Sequence, residues 1–364
     1  MMEPMAVSSR LAALRGELEE ISALLVTSLT NIRYLTGFTG SAALLVVGPD
    51  EALLVTDGRY ETQAAEQIAA CGAQVRIDVG GVARQREAVS GFVKSSAEGT
   101  LGLEAGNVTW AALRTFRSDW FPGVELTATN GLVERLRAKK DPGELARMAE
   151  AARIADSALE KLLPTLGDGL SEEQFARRLD FEMRELGAAE PSFETIVASG
   201  ANAAKPHHRP SARRIEDGEA VVLDFGARFD GYCSDMTRTV WTTPPSDPEL
   251  RRAIQVVAQA QAAGVAAVGP GVAAAEIDRV CRDIIAAEGL SERFVHGTGH
   301  GVGLDIHEAP SVSGASGDTL VAGHVVTVEP GIYLPGLGGV RIEDTVVVTD
   351  AGCRPLTMTA KELI

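Results

Sequence analysis

Short apolar runs and amphipathic stretches alternate along this chain, in two successive patterns. In the first, Leu11, Leu14 and Leu18 recur at helical spacing and predict an amphipathic helix over 8–20. "ISALLVT" reads as a strand, and "SAALLVVG" and "EALLVTDG" as two more joined by the turn "GPDE". "RYETQAAEQIAA" is helical in pattern and stops at Cys71-Gly72. "AQVRIDV" and "GTLGLEA" read as strands with a helix between them, and "TWAALRTFRSDWF" as a further helix. This order predicts an α/β domain over 1–131.

The pattern changes after the polar stretch "AKKDPGE". A long helical period follows, with Asp141 as its cap, Pro142 in its first turn and Glu144 three residues past the cap. A second helix begins at Ser171 and carries Phe175, Leu179 and Met183 four apart. "AVVLDFGARFDGYCSDMTRTVW" reads as a hairpin turning at "FDGY". "DPELRRAIQVVAQAQAAGVAAV" and "AAAEIDRVCRDIIAAEG" read as two helices, and "HVVTVEPGIYLPGLGGVRIEDTVVVT" as another hairpin. Paired helices alternating with antiparallel strands predict an α+β domain over 139–364, with 132–138 as linker. Two domains suit a chain of 364 residues.

Composition narrows the function classes. The net charge of −16 argues against sequence-independent nucleic-acid binding and against an anionic membrane surface, since both need basic patches. No apolar run approaches the roughly 20 residues of a membrane span. Cys71, Cys233, Cys281 and Cys353 are widely spaced, as reduced thiols would be. The first residues carry acids where a signal peptide has its apolar stretch, so a cytoplasmic location is the expectation.

The chemistry shows in misplaced acids. Asp224 interrupts the apolar strand "VVLDFG", and a hairpin turning about 229–230 sets Asp235 opposite it. Glu329 ends "VVTVE" and Glu343 ends "GGVRIE"; a loop centred on Gly336 brings them to one level of a second hairpin. Facing carboxylates inside a sheet repel, and burial disfavours their charge. A single buried carboxylate is more often a structural group than a ligand. Four in two hairpins, beside the histidine-rich stretch "VHGTGHGVGLDIHEAP", are hard to explain without a cation. A carboxylate-rich set with few nitrogen donors suits hard divalent ions such as manganese, and this much charge suits two ions sharing carboxylates.

Asp224, Asp235, His300, Glu329 and Glu343 match, in order and spacing, the five metal ligands of the pita-bread metallopeptidases, the family of methionine aminopeptidase, aminopeptidase P and prolidase. The resemblance covers roughly 139–364 and includes "LDFGARFDGYCSDMTRT", "HGTGHGVGLDIHE", "EPGIY" and "GVRIEDT". "NIRYLTGFTGSAALLVV" and "TDGRY" resemble the amino-terminal domain of creatinase, prolidase and aminopeptidase P, which methionine aminopeptidases usually lack. The resemblance implies that Asp224 holds one metal, Asp235 and Glu343 bridge two, and His300 and Glu329 complete the second. It implies a shared hydroxide attacking the carbonyl before a proline, with Glu329 moving the proton. His207, His296 and His307 match catalytic and substrate-contacting histidines. Tyr333 and Arg341 match groups behind the ligands, with Tyr333 also expected at the substrate. Arg341, two residues before Glu343 on one sheet face, is expected to hold that carboxylate. His208 is read as a structural or surface neighbour of His207, and His324 as exposed.

The resemblance implies a homodimer acting on short proline-containing peptides with two divalent ions, manganese first, with cobalt, zinc or iron as alternatives. Xaa-Pro aminopeptidase is preferred over Xaa-Pro dipeptidase. Some similar prolidases carry arginine four residues after the histidine matching His307, and here that residue is Ser311. A creatinase-like amidinohydrolase or a non-catalytic peptide-binding module typically lacks the ligands that are all present here.

Overall fold

The structure, a computed structural model, describes residues 2–18, 20–96 and 99–361. The chain divides into two compact units, Pro4–Arg137 and Ala138–Ile364, the latter together with Met1–Glu3.

The first unit is built on a six-stranded mixed sheet. Its order is Arg76–Val79, Ala52–Thr56, Ala43–Val47, Ala23–Val26, Thr100–Glu104, Glu125–Thr129. The turn "GPDE" joins Ala43–Val47 and Ala52–Thr56 in antiparallel register, Val47 opposite Ala52. The first helix is shorter than its pattern, Val7–Arg15, and Glu19 lies outside the described residues. The helix Glu61–Cys71 ends with Gly72 in the left-handed region, as its sequence predicts. A helix at Leu29–Thr36, capped by Ser28, and the edge strand Glu125–Thr129 add to the predicted elements. Residues 132–138, expected as a linker, form a helix, and the first unit extends through Arg137.

In the second unit, Asp141 and Glu144 form a capping box at the start of the helix Pro142–Leu162. Ser171 and Gln174 form another at Glu172–Glu185. Phe175, Leu179 and Met183 are fully buried on one face of that helix, each contributing about 1.5–3 kcal/mol through removal from water. These two helices share a core with the strands Val221–Phe225 and Met236–Val240. Helices Pro248–Ala267 and Ala274–Ala287 share a second core with a five-stranded sheet. That sheet runs Glu308–Val312, Gly299–Gly301, Val325–Val328, Asp344–Thr349, Gly352–Pro355.

The two hairpins differ in how well spacing predicts their register. In the second, Gly331 faces Arg341 and Val328 faces Asp344, which sets Glu329 level with Glu343 as expected. In the first, the turn residues are Asp230 and Gly231, both with positive φ (43° and 82°), the conformation of a tight hairpin turn. The register is therefore shifted by two from expectation: Asp224 faces Thr237 and not Asp235. A shift of two preserves the side-chain alternation, so Asp224, Asp235 and Thr237 still share a face.

Close backbone approach explains one glycine beside the site. A Cβ on Gly299 would overlap the Thr327 carbonyl of the neighbouring strand, whereas one on Gly106 has nothing within 4 Å. Gly299→Ala is expected to cost about 1–3 kcal/mol, read as a lower urea midpoint, and Gly106→Ala less than about 0.5 kcal/mol. An unchanged midpoint for Gly299→Ala would mean that this sheet has room to spare.

Candidate metal centre

The site forms where strands end or change sheet. Asp224 lies in Val221–Phe225, and Asp235 immediately precedes Met236–Val240. His300 lies in the short strand Gly299–Gly301. Glu329 separates Val325–Val328 from Gly331–Leu334, and Glu343 separates Gly338–Arg341 from Asp344–Thr349. The two hairpins are stitched to each other: Glu343 N donates to Thr237 O, Arg341 N to Thr239 Oγ1, and Thr345 Oγ1 to Asp235 O. Every site residue predicted from sequence except Tyr333 lines one cavity of about 590 Å³.

Within it, Asp235, His300 and Glu343 each offer one ligand atom, and those atoms lie within 4.8 Å of one another. His300 Nε2 is 3.3 Å from Glu329 Oε1 and 3.6 Å from Asp235 Oδ2. Its Nδ1 is 3.0 Å from Gly301 O. A carbonyl only accepts, so Nδ1 carries the hydrogen and Nε2 faces the acids. Burial is the largest influence on His300 and works to lower it, but the bond and charge of Glu329, the Gly301 carbonyl and Asp224 together outweigh it and raise it. Burial works to raise Glu329, and His300, with His296 and Arg341, brings it below the ordinary value.

Asp235 and Glu343 have no such compensation. Burial, and then neighbouring carboxylates, push both well above the usual carboxylate range. Thr237 Oγ1 donates to Glu343 Oε2 at 2.7 Å, while the buried Glu343 Oε1 has no hydrogen-bond partner among the described residues. A deeply buried oxygen without a donor, beside a second strained carboxylate and an imidazole lone pair, is the arrangement that a divalent cation satisfies.

Arg341 corrects one expectation. It does not hydrogen-bond the Glu343 carboxylate. Its Nη2 donates to Asp224 Oδ2 at 2.5 Å, its Nη1 to Tyr333 Oη at 2.8 Å and its Nε to Thr237 Oγ1 at 3.2 Å. Burial still leaves Asp224 raised, with Arg341 working against it. Tyr333 is a second correction: it is buried, does not line the cavity, and lies 2.8 Å from His296 Nε2. His296 Nδ1 faces Gly297 O at 2.8 Å, so Nε2 accepts from Tyr333. Burial lowers His296, which keeps it neutral. His207 and His307 are exposed within the cavity, and the His307 ring packs edge-on to His300, centroids 4.3 Å apart.

Three supports went unpredicted. Glu172, fully buried, accepts from Ser199, Asn202 and Ser211 and lies 2.9 Å from His208 Nε2. Burial works to raise Glu172, and these bonds hold it at about 2. Acids are common in a first helical turn, which hides this one. Buried Asp278 accepts from Thr298 N and Oγ1 and from Arg282 Nε, fixing the backbone between His296 and His300. An acid beside Ile277 on the apolar face of its helix was the available signal. Thr237 sits two residues after Asp235, where strand alternation points it into the site. His324, read as exposed, is half-buried.

The sequence profile of metallopeptidase family M24 matches residues 146–350, and that of the Creatinase/Prolidase N-terminal domain matches 10–139. The chain belongs to metallopeptidase family M24. This M24 enzyme is 45% identical to an uncharacterized peptidase of Bacillus subtilis, YqhT, over 94% of its own length and 96% of that protein. It superposes on an Xaa-Pro dipeptidase from Bacillus anthracis with TM-score 0.93 and 40% identity, covering 98% and 99% of the two chains. An X-Pro aminopeptidase from Thermotoga maritima gives TM-score 0.87 and 33% identity, covering 96% and 99%. The M24 enzyme thus has a creatinase-type N-terminal domain and a pita-bread catalytic domain.

The raised carboxyls carry a pH signature. In the metal-free enzyme, Asp235 and Glu343 hold protons more tightly when folded than when unfolded. That stabilisation is complete below the unfolded carboxylate pKa of about 4 and is lost as pH rises through the folded values. Over that rise the wild type should lose Tm relative to Glu343→Gln, whose amide stays neutral, and the Tm gain from added manganese should grow. A difference between the two proteins that stays flat from about pH 5 to about pH 8 would remove the buried-charge account.

Proposed function

We propose that this metallopeptidase hydrolyses the bond between an N-terminal residue and a following proline. The observation that carries the reading is the convergence of Asp224, Asp235, His300, Glu329 and Glu343 in one cavity with His207, His296 and His307. The similarity to proteins named Xaa-Pro dipeptidase and X-Pro aminopeptidase supports the substrate class.

The five ligands would hold two divalent ions, Asp235 and Glu343 serving both; manganese suits this carboxylate-rich set. When bound, the ions supply the positive charge that makes water acidic and polarises a carbonyl. The chain's own groups do the rest. Glu329, beside His300 in the cavity, accepts a proton and returns it to the leaving nitrogen of proline. His207 and His307 donate to the carbonyl oxygen as negative charge develops there. His296 is held in one orientation by Gly297 and Tyr333. Arg341 keeps Asp224 charged and in place.

We read the enzyme as a cytoplasmic homodimer acting on short proline-containing peptides. Its four cysteines are all free, which suits a reducing compartment. No described helix is long and apolar enough to cross a membrane. Ser311 in the cavity wall favours the aminopeptidase form, since it leaves out the arginine of some related prolidases; any cation supplied from another segment reverses that preference.

The test is release of alanine from Ala-Pro and Ala-Pro-Ala, with manganese and with chelator. Metal-dependent release from at least one is expected, and release from neither by metal-loaded protein sinks the reading. Asp235→Asn should abolish metal-dependent turnover. His307→Ala should keep metal content while lowering kcat by about 10²-fold or more; unchanged kcat would take His307 out of the reaction.

A further inference from the structure

An Xaa-Pro dipeptide ends in a carboxylate directly after the proline. The candidate cavity already holds Asp224, Asp235, Glu329 and Glu343. Two divalent ions would only balance those four charges, so a substrate carboxylate that leaves water there still needs a cation of its own. Only two arginines, and no lysine, line the cavity among the described residues: Arg341 and Arg209. Arg341 is buried and committed to Asp224, Tyr333, Thr237 and the Pro206 carbonyl.

Arg209 is differently placed. It lies two residues past His207 with its side chain 82% exposed, and its Nε is 3.1 Å from Glu194 Oε2, on a side chain 63% exposed. Glu194 lines the same cavity. Exposed pairs of this kind contribute at most about 1 kcal/mol, so Arg209 can change partners at little cost. The backbone that carries it is fixed on both sides of His207: Pro206 O accepts from Arg341 Nη1, and His208 is bound to buried Glu172. Arg209 is thus a loosely tethered guanidinium on a rigid loop, in the same cavity as Ser311.

We propose that Arg209 anchors the terminal carboxylate of an Xaa-Pro dipeptide, and that Glu194 is the carboxylate which the substrate displaces. This rests on the Xaa-Pro reading above. It makes dipeptides the preferred substrates and assigns the missing anchor to a different segment from position 311. A guanidinium can meet a carboxylate through two parallel hydrogen bonds, so arginine is better suited than lysine to the task.

The proposal makes the two members of one ion pair act in opposite directions. Arg209→Ala removes the anchor and is expected to raise KM for Ala-Pro by about tenfold or more, with little change in kcat. Glu194→Gln removes the competitor and is expected to lower KM for Ala-Pro. Ala-Pro-NH2 has no carboxylate, and its KM should respond to either change by less than about threefold. Arg209→Lys should recover part of the loss. All are measured on manganese-loaded protein with metal content verified. Equal losses on Ala-Pro and its amide would make Arg209 a support of the loop and overturn the proposal. So would unchanged KM in both variants, or changes of the same sign. Wild-type cleavage of Ala-Pro-Ala without cleavage of Ala-Pro overturns it as well. If the loaded wild type cleaves none of these substrates, the Xaa-Pro reading itself falls, and the anchor falls with it.

Discussion

Four carboxylates share one cavity, and the arrangement around them follows from how their charge is managed. The protein's own groups satisfy only part of it. Arg341 meets Asp224, and in the metal-free protein a protonated His300 meets Glu329 and holds it below the ordinary value despite burial. Asp235 and Glu343 are left with burial and mutual repulsion, and one Glu343 oxygen has no donor among the described residues. Divalent positive charge would balance these two, next to an imidazole whose Nδ1 hydrogen is held by Gly301 and whose Nε2 faces the acids. Membership of a metallopeptidase family and the chemistry of the donor set therefore point the same way.

Holding like charges together requires a stiff frame. The two hairpins that bear the acids are bonded to each other through Thr237, Thr239 and Thr345. Threonine supplies a hydroxyl at these buried contacts while retaining the β-branched shape that strands favour. Behind the cavity, Arg341 donates to Tyr333 and Tyr333 to His296, so one cation fixes Asp224 and, through the phenol, a histidine of the opposite wall. Glu172 and Asp278 do comparable work for the loops bearing His207 and His296. His207 and His296 are thus carried on segments whose backbone is held by buried groups.

The same cavity holds two kinds of side chain. The acids and His300 lie at strand junctions, where the sheets set their positions. Arg209 and Glu194 are exposed and paired with each other, so the partner exchange proposed for them would leave the acid cluster undisturbed. Two enzymes with one ligand set can differ in peptide length through such a cation alone. That is consistent with this chain resembling both an Xaa-Pro dipeptidase and an X-Pro aminopeptidase over nearly its whole length.

Local rules made much of this legible from the amino-acid order. The capping boxes at Asp141 and Ser171, the buried face of Phe175, Leu179 and Met183, and the parity of both hairpins depend on neighbours a few residues away. Acids at positions where strands want apolar side chains marked the candidate site for the same reason. The register of the first hairpin escaped by two residues, because it was set by the positive φ of Asp230 and Gly231 and not by the symmetry of the acids. The partner of Arg341 escaped because Asp224 lies 117 residues away, and sharing a strand face with Glu343 says nothing about what packs across it. Sequence by itself determined which acids and histidines stand out against the apolar pattern of their strands and loops, since residue type and local periodicity suffice for that. Only the tertiary structure decided which charges are compensated, which oxygen is left without a donor, and which arginine remains exchangeable, because those depend on segments that meet only when the chain is folded.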